Sequence, residues 1–68
     1  MDNDNQQKIR TLLDYLIEHN KEHSQEIAEW AEKARALGAD QAGEQMLKAA
    51  QQMDKANEFL SQALASLG

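Results

Sequence analysis

His19 and His23 are the only imidazoles in the chain. Four residues apart, they fall one turn from each other on one face of a helix, the spacing at which two histidines chelate one metal ion. Glu26 follows a turn further along the same side. If a second helix runs back beside the first, Asp54 and Glu58 are the carboxylates on the turns that face the pair. Two histidines with one or two carboxylates suit Zn²⁺, Ni²⁺, Co²⁺ or Fe²⁺, and the ligand set does not choose among them. Because such ligands bind deprotonated, a metal site here would add stability that weakens below about pH 6. The interposed glutamate of the HExxH zincin motif is missing, since Asn20, Lys21 and Glu22 follow His19. The Glu-x-x-His of carboxylate-bridged di-metal bundles is missing too, with Asn20 where the glutamate would stand. A plainer reading has His23 hydrogen-bonded within a helix seam to Asn20, Asn57 or water, with His19 a flanking polar residue.

Other chemistry finds little support. The chain has no cysteine, which excludes thiol catalysis, thiolate metal sites and disulfides. Thr11, Ser24, Ser61 and Ser66 have no strained turn or acid–base partner nearby, and no glycine-rich loop is present to cradle phosphate. A thin bundle offers little cleft for a sugar chain between paired carboxylates. The expectation is a protein without enzymatic activity.

The elements that carry these residues follow one heptad rhythm. In the first half it picks out Ile9, Leu13, Leu16, Asn20, His23, Ile27, Trp30, Ala34 and Leu37. In the second it picks out Gly43, Met46, Ala50, Met53, Asn57, Leu60, Leu64 and Leu67. A seam of this kind predicts paired helices of coiled-coil type. Proline is absent, and Gly38 is placed to cap the first helix in the left-handed conformation. Asp40 is the candidate N-cap of the second helix, and Asp4 with Gln7 resembles a capping box at the start of the first. The spacing predicts helices over about residues 5–37 and 41–67. The roughly three-residue connection folds them into an antiparallel hairpin, one all-α domain over residues 1–68.

In the register this suggests, Asn20 faces Asn57, Ile27 faces Ala50, His23 faces Met53, Trp30 faces Met46 and Ala34 faces Gly43. Trp30 then anchors the core, with Met46 and Met53 filling gaps. Asn20, His23 and Asn57 form a central polar layer that penalises wrong register. The apolar stripe is wider than one seam, with Leu12 and Ile17 beside it on the first helix and Leu47, Ala49, Ala56, Phe59 and Ala63 on the second. Phe59, off the seam, is the best single candidate for a subunit contact. At 68 residues a single hairpin struggles to offset chain entropy. A homodimeric four-helix bundle is the simplest remedy, and docking on a different, larger protein is the other.

Twelve acidic against seven basic residues give a net charge of −5, which argues against nucleic acid or an anionic membrane as partner. No apolar run reaches the ~20 residues needed to span a bilayer, and Met1-Asp2-Asn3-Asp4-Asn5 is polar and acidic, unlike a secretory signal. A soluble cytoplasmic protein is expected.

The run Leu16-Ile17-Glu18-His19-Asn20-Lys21-Glu22-His23, followed by Ile27-Ala28-Glu29-Trp30-Ala31 and Leu37-Gly38, resembles a group of short prokaryotic helical domains of unknown function with an IEHN-x-EH core. The resemblance covers roughly residues 9–67. It implies a small stand-alone or appended helical module, an association with transition-metal or cobalamin-related proteins, and His19, Asn20, Glu22 and His23 as motif residues. Glu22 points away from the heptad seam. Two expectations stand side by side: an assembly module that self-associates through the seam with its Asn/His layer, and a small transition-metal-binding protein using His19 and His23 with helix-2 carboxylates.

Overall fold

The computed structural model describes residues 3–67. Met1, Asp2 and Gly68, which include the outermost part of the acidic amino terminus, lie outside the described residues. Helix α1 spans Asn3–Ala36 and helix α2 spans Asp40–Ser66. They lie side by side as the expected antiparallel hairpin. No helix among the described residues is long and apolar enough to cross a membrane.

The turn follows from one glycine. Gly38 takes φ +88°, which a side chain would resist, and this lets the backbone double back. Its N–H donates to the Arg35 carbonyl at 3.0 Å, and the Ala39 N–H donates to the Ala34 carbonyl at 2.8 Å. These two bonds are the paired closure of a Schellman motif and satisfy carbonyls that a helix end would otherwise leave bare. The expected caps are corrected on both helices. Ala39, not Asp40, occupies the N-cap of α2 and makes no side-chain cap bond; Asp40 is already helical. Asp4 likewise lies inside the first turn of α1. Both aspartates still meet the positive end of a helix dipole. At the open end of the hairpin, Gln6 Nε2 and Arg10 Nη2 donate to the Leu67 carbonyl at 3.0 and 3.4 Å, so side chains of α1 cap the end of α2.

The seam of α2 is the one its heptads predict, with Gly43 and Ala50 buried and Met46, Met53, Asn57, Leu60, Leu64 and Leu67 half-buried. The seam of α1 is rotated from its expected position. Leu13, Ser24 and Ala31 are the buried residues, supported by half-buried Leu16, Ile17, Asn20, Ile27 and Ala34, so the expected positions 13, 16, 20, 27 and 34 stay on or beside the seam, whereas His23 is exposed and Trp30 is 54% exposed. The register slides with it. Asn57 meets Ile17 rather than Asn20, Ala50 meets Ser24 rather than Ile27, and Gly43 meets Ala31 rather than Ala34. Each shift is three residues in the same sense, just under one turn.

Side-chain size explains the rotation. Ser24 and Ala31, and Gly43 and Ala50, are small residues seven apart, so turning these positions inward lets the two backbones approach closely. A Cβ on Gly43 would sit 2.8 Å from the Ala31 carbonyl oxygen. Trp30 or His23 in the same place would hold the helices apart and forfeit dispersion contacts along the whole seam.

Candidate functional site

Two contacts show which flanks of the helices share a face. The Ser24 hydroxyl lies 2.7 Å from Asp54 Oδ1 and 3.2 Å from the Ala50 carbonyl. A hydroxyl has one proton, and the shorter, charge-assisted bond to the carboxylate takes it. The Arg35 side chain covers Gly43, its Cγ only 2.5 Å from where a Cβ would stand. Arg35 and Asp54 therefore mark one face of the hairpin. By helical periodicity Asp14, Lys21 and Glu58 fall on that side as well.

The opposite face is built from the other flanks. On α1 it carries Ile9, half-buried Leu16, His23 and Trp30 at seven-residue intervals, continued by Leu37 just past the helix, with Leu12 and His19 beside them. On α2 it carries Ala42, Ala49, Ala56 and Ala63, again seven apart, with Phe59 beside them. Leu37 is 87%, Phe59 69% and Trp30 54% exposed. Glu26 and Lys33 are the charged side chains at its edge, and Lys33 Nζ lies 4.3 Å above the centre of the Trp30 ring, a cation–π contact that spreads the lysine stem over apolar surface. On the same stretch Arg35 pairs with Glu32 at 3.5 Å, an exposed contact of small energetic weight.

At the centre of the face the histidines come together. The His19 and His23 rings are 4.4 Å apart at their centroids and inclined at 59°. Tyr15 stacks on His19 at 5.3 Å, nearly parallel. Helix periodicity alone produces this three-ring ladder, because Tyr15, His19 and His23 succeed one another at single-turn spacing. The pair does not meet the carboxylates expected from α2: Asp54 is engaged by Ser24 and lies with Glu58 on the other face. Among the described residues no three His, Asp or Glu side chains gather to hold a cation within one chain.

The asparagines also part company. Asn57 Nδ2 donates to the Ile17 carbonyl at 2.9 Å, while its Oδ1 is buried without a partner. Asn20 is half-buried on the seam without a bond to Asn57. Sequence reasoning missed Ser24 as a clamp between the helices; the signal was the recurrence of small residues at 24 and 31 opposite 43 and 50.

A family model matches residues 9–67 of the chain. The chain belongs to the family described as a domain of unknown function, DUF8180. The match runs from Ile9, the first residue of the exposed apolar stripe, through the turn to the end of α2, so both helices and both faces belong to the family unit. Neither the curated proteins nor the solved structures gave a match.

Proposed function

We propose that this domain is a non-enzymatic assembly module that dimerises by packing its apolar face on the same face of a second copy, giving a four-helix bundle. The observation that carries the reading is the surface the hairpin leaves uncovered. Its Cα atoms span 53 × 14 × 11 Å, two helices wide and one helix thick, so it has room to bury few large side chains. Among the described residues its buried apolar ones are Leu13, Ala31 and Ala50. A compact monomer of 7.7 kDa would expose about 4,300 Å². The hairpin exposes 5202 Å², and the excess of about 900 Å² compares with the ~800 Å² per partner of a standard interface.

The self-association surface in this proposal is the exposed face rather than the heptad seam, which the two helices already use on each other. Trp30 and Phe59 are its anchors, Leu12, Leu16 and Leu37 extend it, and the alanines of α2 let a second backbone come close. Asn20 and Asn57 set the register inside each hairpin. A second copy is the economical occupant because large and small stripes are both present on one nearly uncharged surface, which an isologous contact can satisfy twice.

Sedimentation velocity over a wide range of chain concentration tests the proposal. The wild type and Gln25→Glu, on the opposite face, should sediment as dimers, and Leu16→Glu as a monomer. A wild type that stays monomeric while folded at high micromolar concentration would sink it, leaving a different protein as the natural cover of the face.

A further inference from the structure

We propose that the dimer face holds a divalent transition-metal site completed between two copies, with His19 and His23 of each chain as its ligands. The inference rests on the self-association reading and on three observations about where the histidines lie.

The first is their geometry. Two imidazoles one turn apart with centroids 4.4 Å from each other form half of a four-nitrogen set, and among the described residues of the same chain no carboxylate gathers with them. The second is their position. The α1 stripe is balanced about His23, with Ile9 and Leu16 before it and Trp30 and Leu37 after it at equal intervals. The alanine stripe of α2 is balanced between Ala49 and Ala56, and the approach of Ser24 to the Ala50 carbonyl sets that level within two residues of His23. A two-fold axis crossing the helices there serves both stripes at once. It lays α1 antiparallel on the second α1 and α2 on the second α2. Ile9 then covers Leu37, Leu16 covers Trp30, the two His23 imidazoles meet at the axis, and each His19 stands one turn, about 6 Å, to either side of it, within the reach of its side chain.

The third observation is chemical. Leu12, Leu16 and Trp30 line the face around the pair, with Glu22 and Glu26 three residues from His19 and His23 at its edge, so closing the face removes the imidazoles from water. A bound divalent cation compensates for that loss by accepting their ring nitrogens. Neutral nitrogen donors in a closed set select Zn²⁺, Co²⁺, Ni²⁺ or Cu²⁺ over Mg²⁺ or Ca²⁺. The same axis carries Glu26 of the second copy to the side of His19, where a carboxylate can orient the imidazole through its remaining N–H.

The experiment is sedimentation equilibrium of the full chain with Zn²⁺, Co²⁺ or EDTA, for wild type, His19→Ala/His23→Ala and Leu16→Glu. With free Zn²⁺ about 100 times its dissociation constant from the dimer, the wild-type dimer should tighten about 100-fold. Binding should saturate at one ion per two chains, and Co²⁺ should give the strong visible absorption of a tetrahedral nitrogen site. The double histidine variant should dimerise equally with and without metal. A wild-type dimer that responds to metal no more than the double variant overturns the inference while leaving self-association intact. So does saturation at one ion per chain with equal affinity in Leu16→Glu. Monomers under every condition defeat the self-association reading and the shared site together.

Discussion

Replacing Gly43 by alanine asks whether the two helices touch where the structure has them touch. In an ordinary helix interior this change stabilises by about 1 kcal/mol, because glycine carries the larger backbone entropy cost. Here the added Cβ would fall 2.5 Å from Arg35 Cγ and 2.8 Å from the Ala31 carbonyl oxygen. The arginine stem is flexible and exposed and can swing aside. The carbonyl belongs to the backbone of α1, so relieving that contact means moving the helices apart next to Ala31 and Ala50, the tightest part of the seam. Overpacking of this kind costs about 1–3 kcal/mol, which exceeds the propensity gain and leaves a net loss of about 1 kcal/mol. For a domain of this size that lowers the melting temperature by about 4–8 °C. The assay is thermal unfolding by circular dichroism at one fixed chain concentration, since association would otherwise enter the comparison. Adding Arg35→Ala should recover only part of the loss, because the carbonyl contact remains. A rise in melting temperature for Gly43→Ala would refute both the register and the close approach behind it.

Three further substitutions probe the frame. Gly38→Ala should cost about 1–2 kcal/mol in urea unfolding through backbone strain alone, since φ is +88° and nothing lies within 4 Å of the new Cβ; an unchanged midpoint would mean the turn is not left-handed. Asn57→Leu should raise stability by about 1 kcal/mol, because it removes the buried Oδ1 that has no partner, and a clear loss would show that this oxygen is satisfied. Ser24→Ala should lower stability by about 1–2 kcal/mol in the same measurement by breaking the charge-assisted bond to Asp54, and no change would mean the 2.7 Å contact contributes nothing.

Much of this architecture is legible in the residues. Gly38 announces the turn, and the heptads of α2 name its buried positions because its large side chains and its small ones at 43 and 50 obey one periodicity. On α1 two stripes compete at adjacent positions. One runs through Leu16, His23 and Trp30, the other through Ile17, Ser24 and Ala31. Ranking them by hydrophobicity favours tryptophan over alanine, whereas the hairpin is decided by how closely two backbones can pack, and there the small residues win. The rotation this causes moves His23 and Trp30 to the outside, separates Asn20 from Asn57 and turns Asp54 away from the histidines. The His19–His23 pair survives because its spacing is local to one helix. The partners expected from α2 depended on a register that periodicity leaves open to a slide of nearly one turn.

The chain has a single tryptophan, and it stands on the proposed dimer face, 54% exposed in the hairpin. Its fluorescence emission, followed as the protein is diluted from high micromolar to nanomolar concentration, tests the central claim most directly. Burial of Trp30 against a second copy predicts blue-shifted emission in the concentrated protein that moves to the red as the dimer dissociates. Emission characteristic of a water-exposed indole at every concentration would contradict it.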